Sequence, residues 1–224
     1  MIETKNLFED RKAEVNSLFQ EIVRMDESLK LTSDSDREEI FGILKSSFAL
    51  MLYNLIEACI KQGFNEVYDA VKNYNATHKN LTPKFVDRWI EKVIRDNRDK
   101  PEYYLKIIIN QLIASPTPLI ELGSVSEIKG IADGNLDRRS INKLLETHGI
   151  RPAPANQGSQ LVRVKDWRNK LSHGEVSFRE CMRENVVSDL ENVMLDVFRF
   201  MNSTITNIED FYNRKHFLDD SEIE

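Results

Sequence analysis

One stretch of the chain, Val164-Lys165-Asp166-Trp167-Arg168-Asn169-Lys170-Leu171-Ser172-His173-Gly174, combines side chains that could do chemistry. An arginine is followed at once by an asparagine, a histidine comes four residues after the asparagine, and a glycine closes the set. On a helix, Asn169 and His173 share a face one turn apart, and Arg168 and Ser172 form the neighbouring row. A guanidinium is always charged and an imidazole titrates near neutrality. These are the parts needed to cut RNA without a metal. A base takes the 2′-hydroxyl proton, an acid protonates the leaving 5′-oxygen, and a cation holds charge on the phosphorane-like transition state. One histidine and one arginine per chain are barely enough for this, whereas two copies across a two-fold axis supply two of each, so a homodimer is expected. The spacing alone fits equally a surface helix whose histidine caps its own C-terminus.

Around this set, Arg163, Lys165, Arg168 and Lys170 against Asp166 give the segment from Gln160 to Gly174 a net charge of +3. That makes Arg163, Lys165, Lys170 and Ser172 candidate contacts for RNA phosphates, although a solvated face would look the same. Glu57 lies in an otherwise apolar stretch. It reads either as a solvent-facing edge or as a buried carboxylate paired with an arginine; in contact with Arg168 or His173 it would orient the imidazole. Tyr53, one turn earlier on the same face, could bind the same partner or belong to the core. Arg88, Lys92 and Arg95 form a basic row interleaved with Glu91 and Asp96, which reads as an ion-paired surface. Arg138 and Arg139 could meet RNA, without a motif to say so. His78, His148 and His216 are isolated in loops or at helix ends. With no HxxxH or HxxE pair and no CxxC, neither a metal site nor a cofactor is expected. P-loop, GxGxxG and GxSxG patterns are missing too.

The elements that must position these residues read as helices. All six prolines lie between positions 83 and 154, which permits long uninterrupted helices at both ends. Phe8, Val15, Ile22 and Leu29, with Leu18 and Met25, mark a heptad-like stripe interrupted by Arg11. Ser35-Asp36-Arg37-Glu38 signals a helix start. That helix runs through Ile40, Leu44, Phe48, Leu52, Ile56 and Cys59 and is expected to stop at Gly63, with a short helix from Phe64 to Tyr74 after it. Thr82-Pro83 opens a helix to about Asn97, and Pro101 opens another up to the Ser-Pro-Thr-Pro run at 115. Asn135-Leu136-Asp137 caps a helix ending at His148-Gly149. The motif segment from Leu161 to His173 is short and amphipathic, and Ser177 to about Asn213 carries one long apolar stripe. The expected fold class is all-α, a single domain over 1–213 with an insertion of short helices and loops over 81–158, then an acidic tail over 214–224.

The 224 residues can bury a core without staples. Hydrophobic residues at 41% and charged residues at 30% argue against disorder. The net charge of −6 excludes a blanket basic surface, but not a local patch that meets a few phosphates. The most apolar stretch, Phe48 to Ile60, falls short of the ~20 residues that span a bilayer. With no signal-peptide pattern and two unpaired cysteines, a cytoplasmic, reduced protein without a membrane segment is expected.

The order Arg168-Asn169-x-x-x-His173-Gly174 resembles the Rx4–6H signature of the HEPN superfamily, whose commonest start is Arg-Asn. Tyr53-x-x-x-Glu57 resembles the Tyr-x-x-x-Glu helix of stand-alone HEPN toxins, and Gly134-Asn135-Leu136 resembles their midsection. The stand-alone MAE-type and RiboL-PSP-type families are the nearest in pattern, over roughly residues 5 to 210. The resemblance implies a helical bundle that dimerises and acts as a metal-independent endoribonuclease in toxin–antitoxin or phage-defence systems, with an antitoxin or defence partner protein. It assigns Arg168 and His173 to the catalytic pair, Asn169 to the polar residue that orients the site, and Glu57 to an acidic position on an earlier helix. It also implies an alternative, a catalytically silent dimer that binds protein or nucleotide. HEPN proteins paired with nucleotidyltransferases carry a tyrosine two after the histidine. Here that position is Glu175, which disfavours that type of regulation.

Overall fold

A computed structural model of the chain describes residues 1–31, 35–97, 99, 101–113, 120–128 and 131–219. Among these, α1 (Ile2–Leu31), α2 (Ser35–Asn73), α3 (Pro83–Asp96), α4 (Pro101–Ile113), α5 (Arg138–Thr147), α6 (Leu161–Ser172) and α7 (Val187–Asn213) follow one another, with a 3₁₀ turn at Val125–Glu127. The β content of the described residues is a single isolated bridge between Leu81 and Leu218. The fold is an all-α bundle with short helices in its middle. The Ser-Pro-Thr-Pro run lies outside the described residues.

α2 is the axis, packed against α1, α6 and α7. α1 runs antiparallel to it, with Thr4 bonded to Glu66 near one end and Phe19 against Phe48 farther along. α1 is likewise antiparallel to α7, through Phe8 against Phe198 and the Lys5–Glu209 ion pair. Phe8, Val15, Phe19 and Ile22 are the buried stripe of α1, whereas Arg11 is at the surface, bonded to Glu14. Long and apolar enough to cross a bilayer, α2 instead buries Phe48, Leu52, Leu55, Ile56, Ile60, Phe64 and Val67 in the bundle.

Gly63 does not end α2. A Cβ there would sit 3.2 Å from Ile208 Cδ1, so the missing side chain is used to bring α7 close. The helix continues in phase through Phe64, Val67 and Val71 and stops ten residues later, where Asn75 takes φ 55° and Ala76 N–H reaches back to the Val71 carbonyl. The last helix also differs from expectation. It starts at Val187 rather than Ser177, because the segment before it is strapped to α2 by polar contacts. Ser46 Oγ donates to the Phe178 carbonyl, the buried Lys45 donates to the carbonyls of Arg183 and Asn185, and Gly42 faces the Arg179 backbone with no room for a Cβ. Finally, residues 214–218 are not tail: Phe217 and Leu218 are buried, and Thr82 N–H donates to the Phe217 carbonyl.

Candidate active site

The motif segment is α6, and both of its ends are held from outside the helix. Gln160, at the N-cap, makes no side-chain cap hydrogen bond of its own. The cap comes instead from Asp196 of α7, a nearly buried carboxylate that accepts from the N–H groups of Gly158 at 3.0 Å and Gln160 at 2.8 Å. Amides at a helix start that would otherwise lack partners are thereby satisfied, and a negative charge sits where the helix dipole favours it. Gly158 is required here: its φ is +78°, and a Cβ would lie 2.4 Å from Phe200 Cδ2. At the other end His173 is the C-cap residue, and Gly174 takes φ +68°. Gly174 N–H then bonds to the Leu171 carbonyl and Glu175 N–H to the Lys170 carbonyl, the two bonds of a Schellman ending. The glycine of the motif thus stops the helix directly after His173 and leaves that side chain exposed.

Arg168 points inward from α6 onto α2. Its Cζ lies 4.7 Å from the centroid of the Tyr53 ring, its Nη1 donates to Asn169 Oδ1 at 2.9 Å, and Gly134 leaves it space. A Cβ on Gly134 would meet Arg168 Nη2 at 2.8 Å. Tyr53, itself almost fully buried, donates its hydroxyl to the Gly134 carbonyl and accepts from Leu136 N–H at 3.2 Å. One side chain therefore fixes both the guanidinium and the turn that crowds it. Burial pushes the Tyr53 phenol up from its ordinary value, more than the Leu136 amide and the Arg168 charge pull it down, so it stays protonated near neutrality. Asn169 Nδ2 donates to Asn135 Oδ1 at 3.0 Å, a second tie between α6 and the 134–136 turn.

The cations of α6 divide into committed and uncommitted. Lys165 is bonded at 2.8 Å to Asp137, the N-cap of α5, and that bond raises the ammonium. Burial alone would raise Asp137, but its bonds from Lys165 and Ser140 outweigh this and hold the carboxyl low. The free phosphate contact expected of Lys165 is therefore occupied by a carboxylate here. Arg163 lies over the Trp167 ring and donates to Gln160. Among the described residues no carboxylate forms a salt bridge with Arg168 or with Lys170. Arg168 is half-buried, while Lys170, Ser172 and His173 are exposed. A half-buried guanidinium, held in one orientation and without a carboxylate, is a ready partner for a visiting anion.

Glu57 is partly buried and ion-paired with Lys61, one turn on along α2, and not with Arg168 or His173. Its charge nevertheless acts on the Tyr53 phenol. The row of Arg88, Lys92 and Arg95 is ion-paired, with Glu91, Asp96 and Glu127. Of the remaining histidines, His148 ends α5, where the sequence places it, and is fully buried. Its Nδ1–H donates to the Leu144 carbonyl at 2.8 Å, and its Nε2 accepts from Tyr68 at 2.9 Å. Among the described residues no group of three or more His, Cys, Asp or Glu side chains is placed to hold a metal ion.

Two supports of the site escape sequence reading. Asp196 could have been suspected, being a carboxylate three residues after Val193 on the apolar stripe of α7. The Asn135–Asn169 pair carries no local signal, since the residues are 34 positions apart.

Comparison with curated proteins and with solved structures gives no match. Comparison with family models gives one that covers residues 4–217, nearly the whole chain, described as MAE_28990-like HEPN. With the Arg168-Asn169-x-x-x-His173-Gly174 set on one helix of an all-α bundle, this chain belongs to the HEPN superfamily, a group of nuclease and RNA-related modules, in its MAE_28990-like family.

Proposed function

We propose that the chain is a metal-independent endoribonuclease that cuts RNA by attack of the substrate's own 2′-hydroxyl, at a composite site built by two copies across a two-fold axis. The observation that carries this reading is Arg168: a half-buried guanidinium aimed by Tyr53, Asn169 and Gly134 and left without a carboxylate. Its role is to stabilise the dianionic transition state with its planar fork. His173, exposed at the end of α6, moves the protons, and its symmetry mate supplies the second acid or base. Asn169 keeps the arginine in place, Arg163 and Lys170 on one side of α6 and Ser172 beside Arg168 meet the backbone of the RNA, and Lys165 stays paired with Asp137. Glu57 tunes the site from behind, through Tyr53.

The same chemistry suits a cytoplasmic toxin or phage-defence effector whose activity is held back by an antitoxin or released by a partner protein. Its test is expression in a bacterial host. The parent chain should arrest growth, while Arg168→Ala and His173→Ala, each losing roughly 10²–10³ in rate, should not. A second reading, a silent dimer that keeps the motif for structure, draws support from the Asn169–Asn135 tie. Arrest that survives both substitutions would favour it.

A further inference from the structure

Beside the motif helix lies a cavity of about 720 Å³, lined by α5, the loop before α6 and the first turn of α6. Its walls include Arg138, Arg139, Asn142 and Lys143 from α5, with Ser159 and Val162 opposite. Of its acidic lining residues, Asp137 is neutralised by Lys165. Glu146 is exposed and sets one negative charge against the three cations of the wall, while its backbone carbonyl accepts from Lys84. Arg138, Arg139 and Lys143 make no salt bridge among the described residues, in contrast with the basic row of α3, where every cation is paired. Three uncommitted cations facing one concavity hold a local positive potential on a chain whose net charge is −6.

Two further features give the cavity a ligand class. Asn142, partly buried, is the one side-chain amide among the lining residues. Val162, 45% exposed, offers an apolar surface on which a ring can rest. Cations for a phosphate, a side-chain amide for the polar edge of a base or ribose and an apolar wall together suit a nucleotide. The cavity also points along the motif. Val162, Lys165, Asn169 and His173 follow one stripe of α6, and at 1.5 Å per residue the span from Val162 to His173 is about 16 Å. The Asp137–Lys165 bridge forms the rim between cavity and motif.

We propose that this cavity binds one nucleotide of single-stranded RNA a few positions from the scissile bond, with Arg138, Arg139 and Lys143 on its phosphates and Asn142 on its base or ribose. The proposal rests on the ribonuclease reading for the meaning of the site, but its test reads binding alone. The full chain carrying His173→Ala is titrated into a labelled single-stranded RNA of about twelve nucleotides, and anisotropy is followed at several salt concentrations. Adding Arg139→Ala and Lys143→Ala should weaken binding at least tenfold at low salt and lower the salt slope by about 1.4, since each lost phosphate contact removes about 0.7 on a single strand. Glu91→Ala and Glu14→Ala, changes of charge elsewhere on the surface, should leave both values within twofold. An unchanged affinity and slope in the double variant, with an unchanged melting temperature, overturns the cavity proposal and leaves the catalytic reading standing. Cavity-dependent binding by a parent chain that cuts no RNA supports the cavity and removes the catalytic reading. A His173→Ala chain that binds no RNA at all overturns the cavity proposal, whatever the parent cleaves.

Discussion

Replacing Tyr53 with phenylalanine removes one oxygen atom from the centre of the site and should be felt throughout it. That oxygen accepts from Leu136 N–H and donates to the Gly134 carbonyl, and Leu136 is fully buried. Without the hydroxyl, the Leu136 amide has no acceptor and no water to replace it, a loss of about 1–3 kcal/mol. The Gly134 carbonyl, on a half-buried turn, can recruit solvent and adds little. For a chain of this size about 2 kcal/mol corresponds to a fall in Tm of roughly 4–8 °C. Tyr53→Leu goes further, because it also takes the ring from beneath Arg168, which is worth about a further 1–2 kcal/mol at a half-desolvated site. Urea unfolding followed by circular dichroism should therefore show a midpoint that falls from wild type to Phe to Leu at constant slope. Activity should fall in the same order, since the turn that crowds the guanidinium loosens with it. Equal stability of wild type and Tyr53→Phe, within about 0.5 kcal/mol, would show that Leu136 finds another acceptor and that Tyr53 does not organise the site.

Other outcomes follow from other parts of the fold. Burial holds His148 at about 4, below its ordinary value near 6.5, so the unfolded chain binds more protons between these values. Its contribution to stability is present above about pH 6.5 and is lost as pH falls towards 4, by about 2 kcal/mol between pH 7 and 5; paired urea midpoints should show that pH dependence shrink in His148→Gln. Gly174→Ala meets open space but a left-handed backbone, and calorimetry should register a loss of about 1–2 kcal/mol. Gly158→Ala adds a collision with the Phe200 ring to the same strain and should cost well over 3 kcal/mol or prevent folding; similar losses for the two would contradict this account of the α6 start. A chain that is strictly monomeric by light scattering at micromolar concentration and still fully active would remove the two-copy site.

What could be read from the sequence was what acts over a few residues. Arg168, Asn169, His173 and Gly174 lie within about two helical turns, so one helix and its cap display them together, and the ending at Gly174 is written in the glycine itself. Capping by Asp137 at α5 was legible for the same reason. Contacts between distant segments were not legible. Gly63 looks like a stop because glycine commonly ends helices, yet here it serves the approach of Ile208, and only the continued apolar spacing beyond it hinted at this. Ser177 looks like a helix start until Ser46 and Lys45, more than 130 positions away, claim the carbonyls that follow it. His148 ends a helix, as its position suggests, but its burial depends on Tyr68, Phe64 and Phe85 from α2 and α3. Lys165 reads as a free cation until the fold brings Asp137 to it.

The central claim is that an aimed, unpaired guanidinium and an exposed imidazole cut RNA through the substrate's own 2′-hydroxyl. Analysis of the product ends made by the purified chain tests it most directly, in the presence of EDTA and with Arg168→Lys as the paired variant. The expected result is cleavage that EDTA does not slow, fragments ending in 2′,3′-cyclic phosphate or the 3′-phosphate derived from it, and DNA left intact. Arg168→Lys should be impaired nearly as much as Arg168→Ala, by roughly 10²–10³, because an ammonium cannot present the planar fork. Fragments with 5′-phosphate and 3′-hydroxyl ends, metal-dependent cleavage, or an Arg168→Lys variant as active as the parent would contradict it.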